Sequence, residues 1–254
     1  METVNSAADY PRAFLNSVPK SGTHLMKQIL EGIPGMSLNP NEFYEGYPDD
    51  RDLHYSRLQL VPKGQFVTGH VYYSSLWSGM LKELQLKPVF LNRDLRDIVV
   101  SYTYFITGKY PYHPLRAYML ALPSRKEQYL ALIKGVPDLQ YPSISEWYEQ
   151  FTGWTREADC LQVTFEQLVK NSKSLRRTME RILDFLWENR PLPLPKAKML
   201  DAMERNINPR KSYTFRSGKT GDWRSEFDEE VKACFQKTAG HLLFAEGDAA
   251  DYNS

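Results

Sequence analysis

Apolar and polar residues alternate along this chain in two rhythms, short apolar runs and longer stretches of helical period. Residues 14–18, Phe-Leu-Asn-Ser-Val, form a run short enough for a buried strand. Pro19-Lys20-Ser21-Gly22 is a turn signal, and from Thr23 the pattern becomes helical, with Leu25, Met26, Ile29 and Leu30 on one side. Residues 31–64 are rich in Gly, Pro, Asn and Asp and read mostly as loop. A second strand is expected over 65–70, ending at His70, then a helix over 73–86. Residues 87–92 read as a third strand, with Pro88 near its start, and 94–105 as a helix opened by acidic residues. Further helices are expected over 125–134 and 143–154. A fourth strand is expected over 160–165, a long amphipathic helix over 168–187, and helices over 196–204 and 228–239. Repeated strand–helix units predict an α/β fold with a parallel sheet and right-handed crossovers.

Charge changes that picture little. Lys plus Arg is 32 and Asp plus Glu is 31 in 254 residues, a formal charge of +1. That balance argues against a nucleic-acid partner or a polybasic membrane surface, while a local basic site remains open. Two cysteines, Cys160 and Cys234, lack metal-ligand spacing and suggest reduced thiols. The first residues lack a basic region and apolar core, so a signal peptide is not expected, and no apolar run reaches membrane-spanning length. Together these predict a cytoplasmic protein.

The chemistry concentrates at strand ends. A strand, a glycine turn and a helix start make an anion cradle, because backbone N–H groups and the helix dipole face the ligand. Lys20 adds a charge, Ser21 and Thr23 add hydroxyls, and Gly22 permits close backbone approach. The order of Lys and Gly departs from the Walker pattern, which argues against Mg-nucleotide hydrolysis or kinase chemistry. Ligands of parallel sheets bind at the carboxyl ends of strands. Lys20, His70 and Arg93 each stand at or just after such an end. A structural pairing of Arg93 with Asp97 or Asp94 is the competing reading. His54 and His113 are further acid–base candidates in expected loops, and Glu42 and Glu45 are fallback bases.

At this point the chain resembles the PAPS-dependent sulfotransferases of the cytosolic type. Pro-Lys-Ser-Gly-Thr at 19–23 matches the family loop for the donor's 5′-phosphosulfate. Asn-Arg-Asp-Leu-Arg-Asp-Ile-Val-Val-Ser at 92–101 is similar to the element that binds its 3′-phosphate through Arg93 and Ser101. Residues 160–186 resemble the family's strand, turn and helix, with Phe165 where a Tyr is usual. Phe-Arg-Ser-Gly-Lys-Thr-Gly-Asp-Trp at 215–223 resembles the loop that closes over the 3′-phosphate and adenine. His70 falls where the family places its catalytic histidine.

The resemblance implies a P-loop NTPase-like three-layer fold, a central parallel sheet flanked by helices, in a single sulfotransferase domain over 1–254. It implies PAPS as donor, PAP as product and no metal. It implies His70 as general base and Lys20 at the leaving group. Donor contacts would come from Lys20, Ser21, Gly22, Thr23, His24, Arg93, Ser101, Phe165, Arg216, Ser217 and Gly218. The acceptor is expected to be a small, hydrophobic or aromatic molecule, chosen by loops or a lid over 36–64 and 106–142, with Tyr44, Tyr47, Tyr104 and Tyr110 as wall candidates. The family's dimerisation signature is not visible after Trp223, which implies a monomer or an atypical dimer. Leu25, Thr68 and Ser217 stand where the family usually has Trp, Lys and Lys. Those departures leave a non-catalytic PAP- or anion-binding relative as the alternative, ahead of a P-loop kinase of related fold.

Overall fold

A computed structural model describes residues 10–44, 50–188, 190–211 and 218–243. Two compact units are distinguished, Met1–Asn92 with Phe151–Gly218, and Arg93–Gln150 with Lys219–Ser254.

The first unit is built on a parallel sheet of β1 (Arg12–Ser17), β2 (Ser37–Tyr44), β3 (Gln65–His70), β4 (Leu86–Asn92) and β5 (Leu161–Thr164), in the order β2-β3-β1-β4-β5. Successive side chains of a strand point to opposite faces. Leu15, Val89, Leu91 and Val163 therefore meet α1 (Thr23–Glu31) and the later helices of this unit on one face, through Met26, Ile29, Leu30, Met179, Ile182, Leu183 and Leu186. On the other face Phe14 packs against Phe43 and Trp77, each with ring centroids 5.6 Å away. Trp77 belongs to α3 (Ser75–Glu83), which follows α2 (Arg51–Gln59).

The second unit holds α4 (Leu95–Gly108), α5 (Arg116–Ala121), α6 (Arg125–Lys134) and α7 (Ile144–Glu149). The chain then returns to the first unit for β5, α8 (Phe165–Val169), α9 (Ser172–Trp187) and α10 (Lys196–Arg205), and ends in the second with α11 (Trp223–Glu226) and α12 (Glu229–Ala239). Ser124 caps α6, Ser143 and Glu146 form a capping box on α7, and Asp228 caps α12.

Three expectations need correction. The stretch 31–64 is not mostly loop, since it contains β2 and α2. β2 carries Pro40 and polar residues because it is an edge strand with an irregular register between Leu38 and Glu42. The helix expected over 168–187 is two helices, because Asn171 caps α9 by accepting from Ser174 N–H at 2.9 Å. The strand expected over 160–165 is the fifth and is shorter, because a Thr164–Gln167 capping box starts α8 at Phe165.

Candidate active site

In the first unit the turn after β1 has the backbone that an anion cradle needs. Lys20 has φ 75° and Gly22 φ 98°, both left-handed. Gly22 offers no side-chain cap to α1, so the helix start faces the turn without one. A Cβ on Gly22 would stand 2.5 Å from the Phe165 ring, so Gly22 is required by sterics as well as by φ. Phe165 thus packs as the floor of the turn. Ser21 is fully buried, and its hydroxyl has no hydrogen-bond partner among the described residues. A buried hydroxyl without a partner is costly unless a ligand satisfies it. The turn therefore fits an anionic group, with Lys20, the Ser21 hydroxyl and the Thr23 hydroxyl as its donors.

His70 ends β3 beside this turn. Its Nδ1 lies 2.7 Å from the Ser17 carbonyl oxygen. A carbonyl oxygen only accepts, so Nδ1 carries the proton and the Nε2 lone pair is left for another proton. Ser17 Oγ lies 3.2 Å from the same Nδ1 and 2.8 Å from Thr23 Oγ1, linking the imidazole to the first residue of α1. Burial pushes the His70 pKa down to about 4; the Ser17 carbonyl and Glu42 oppose that fall, and Lys27 and Lys20 add to it.

The end of β3 is held from β1 at a second point. The fully buried Asn16 side chain accepts from Val71 N–H at 2.9 Å and donates to the Val71 carbonyl at 3.0 Å. Trp154 Nε1–H donates to the same carbonyl at 3.0 Å. Neither Asn16 nor Ser17 was singled out from the sequence. A polar pair inside an apolar strand run is the signal that could have found them.

Glu42, at the end of β2, accepts from the Tyr44 phenol and pairs with Lys27 at 2.9 Å. Burial disfavours its charge, but the bonds from Tyr44 and Lys27 hold its carboxyl below the ordinary value. Tyr44 is 46% exposed and its ring centroid is 6.1 Å from that of His70. His24 is exposed, its pKa lowered by partial burial and by Lys27 and Lys20. His54 is not a loop residue. It is buried in α2, 4.7 Å from Trp77 by ring centroids, and serves the core.

The second unit carries Arg93, Ser101, Tyr104, Tyr110 and His113. Arg93 is 7% exposed, donates through Nη2 to the Lys219 carbonyl at 2.8 Å, and lies 3.7 Å from Asp97 Oδ2. The buried Asp97 accepts from Gly221 N–H at 2.7 Å and Trp223 N–H at 3.2 Å, while Arg96 stacks 3.9 Å over the Trp223 ring. The segment from Lys219 to Trp223 is thus tied to α4, where buried Ser101 also sits. Tyr104 and Tyr129 both donate to Glu226, at 3.0 and 2.5 Å, and Arg125 covers the Tyr104 ring. Tyr110 stacks on Phe105 and is 42% exposed. His113 is not an open acid–base group. Leu115 N–H donates to its Nδ1, Tyr102 meets its Nε2, and burial lowers its pKa to about 4. Gly218 is a left-handed residue (φ 65°). Tyr47, Arg216 and Ser217 lie outside the described residues. Among the described residues no His, Cys, Asp and Glu cluster could hold a metal ion, and no helix is long and apolar enough to cross a membrane.

The sulfotransferase domain family matches residues 10–244 of this chain, across both units. The chain belongs to that family. Sulfotransferase 1E1 of Rattus norvegicus is 24% identical over 61% of this chain, which spans only 54% of that relative's length. Sulfotransferase 1A1 of Mus musculus is 24% identical over 89% of the chain and 83% of the relative. Among solved structures, mouse sulfotransferase SULT7A1 complexed with PAP superposes with TM-score 0.66 at 17% identity, covering 96% of this chain and 91% of the other. Retinol dehydratase in complex with androsterone and inactive cofactor PAP gives TM-score 0.61 at 18% identity, covering 96% and 82%. The chain is accordingly a three-layer α/β protein with a central parallel sheet, and the likeness is to sulfotransferases rather than to P-loop nucleotide hydrolases.

Proposed function

We propose that this sulfotransferase moves a sulfuryl group from PAPS to a hydroxyl or amine of a small-molecule acceptor and releases PAP. The observation that carries the reading is the Nδ1–H of His70 bonded to the Ser17 carbonyl. It keeps a proton on Nδ1, and with burial favouring the uncharged ring, Nε2 can accept a proton next to a lysine-bearing anion turn. Nε2 takes the acceptor's proton as the acceptor oxygen attacks sulfur. The bond from sulfur to the bridging oxygen breaks, and the electron pair leaves with PAP. Lys20 and the Ser21 and Thr23 hydroxyls neutralise the charge that grows on that oxygen. Arg93 and Ser101 take the 3′-phosphate, for which a guanidinium fork is suited. Gly218, with Arg216 and Ser217 before it, belongs to the same assignment. Tyr44, beside His70, is the first wall residue of an aromatic or hydrophobic acceptor. Similar structures that hold PAP support the donor.

The test is consumption of PAPS against a panel of phenols, aliphatic alcohols and amines, with PAP titration alongside. Sulfated product with PAP release is expected. PAP binding with no turnover on any acceptor would favour a non-catalytic anion-binding relative, and binding of ATP with magnesium but not PAP would overturn the reading. For the 3′-phosphate, Arg93→Ala is expected to raise Kd for PAP by about 10- to 100-fold. Affinity for adenosine 5′-phosphosulfate, which lacks that phosphate, should stay unchanged. Equal losses for both ligands would remove Arg93 from this role.

A further inference from the structure

The transfer scheme leaves one ion pair beside the imidazole without a task. Lys27 lies one helical turn beyond Thr23 on α1, so both side chains leave the same face. Only 16% of the Lys27 side chain is exposed, against 40% for its partner Glu42. Across the β2–β3 ladder, Glu42 is opposite Thr68 and Tyr44 is opposite His70. The ion pair is therefore anchored one pleat from the base. Glu42 itself is fixed twice more, by the Tyr44 phenol on its second oxygen and by Arg57 of α2, which donates to its carbonyl at 2.9 Å.

We propose that Glu42 and Lys27 are positioning residues for proton removal: their charge pair holds Tyr44 in place and sets the electrostatic balance at His70. The inference rests on the reading of His70 as the base. Among the described residues, the charged and titratable groups shown to act on His70 are Lys20 on the turn, Lys27 on α1, and Glu42 and Tyr44 on β2; His24 of α1 interacts with Lys20, Lys27 and Glu42, and Arg57 bonds the Glu42 carbonyl. From β1 only the Ser17 hydroxyl and carbonyl reach the imidazole. Lys27 opposes a proton on the imidazole and Glu42 favours one, so the pair's two members act with opposite sign. A pair without influence on the imidazole would leave both neutralised variants at the wild-type fraction.

The experiment follows the imidazole itself, without donor or acceptor. The full chain labelled with 15N-histidine has five histidines, and His70→Gln identifies the resonance of interest. At pH 5 the imidazolium fraction of His70 should rise about threefold in Lys27→Met and fall about threefold in Glu42→Gln. Lys27→Arg should keep the wild-type fraction. Equal fractions throughout, or a change of one sign in both neutralised variants, would overturn the proposal. If Lys27→Met does not fold, Lys27→Gln replaces it with the same expected sign. Because the readout is a titration, it can fail while sulfuryl transfer stands, and transfer can fail while the titration behaves as expected.

Discussion

His70→Ala should lower kcat by about 10²- to 10⁴-fold, the usual share of a positioned base, and leave PAP affinity nearly unchanged. On the proposed reading Nε2 serves the acceptor, while Nδ1 bonds Ser17. Loss of the side chain therefore removes proton transfer without touching Lys20 or the backbone of the turn. Single-turnover rates and PAP calorimetry on the same preparation separate the two effects. A variant with near-normal kcat would end the assignment. The pH profile gives a second check. The folded imidazole titrates at about 4, far below an ordinary histidine, because burial disfavours its charge. Wild-type kcat/KM should therefore stay flat as pH falls from 8 to roughly 5, where an unperturbed histidine would already be largely protonated. The acid limb of kcat should lie higher than that of kcat/KM, because the anionic donor in the cradle favours imidazolium.

Gly22→Ala should be strongly damaging to the first unit. The new Cβ would meet the Phe165 ring at 2.5 Å on a backbone with φ 98°. Left-handed strain and overpacking together cost about 2–5 kcal/mol, which corresponds to a Tm lower by roughly 5–15 °C in a chain of this length. PAP binding should fall more than tenfold, since the turn must shift to relieve the clash. Adding Phe165→Ala should recover part of the stability, by removing the ring but not the strain. A Gly22→Ala protein with wild-type Tm and PAP affinity would show that the turn is not the rigid cradle described here.

Much of the sheet was legible because its strands follow local pattern. β3 and α6 have the expected bounds, and β1, β4, α4 and α12 differ by a few residues at most. The cradle was legible for a similar reason, since turn, lysine and glycine are adjacent in the chain. What could not be read was whatever depends on sheet order. β2 lacks an apolar run because it is an edge strand, so Glu42 looked like a loop carboxylate. Its partner Lys27 is set by the neighbouring of β2 and β3 and by the path of α1, neither of which is encoded in spacing. The competing readings of Arg93 were both local, and the structure keeps the one with Asp97 while adding Lys219 from far along the chain. His54 and His113 looked like loop histidines because their burial comes from rings distant in sequence.

The two grips that β1 exerts on the end of β3, one through the Ser17 carbonyl and one through the Asn16 amide, carry a consequence for how this scaffold can change. His70 belongs to β3, yet it is gripped by the strand that runs into the Lys20 turn. The spacing of His70 and Lys20 is therefore set within the pairing of β1 with β3. Changes of sequence outside the sheet should leave that spacing in place, whereas changes in β2 reach the imidazole through Tyr44 and Glu42.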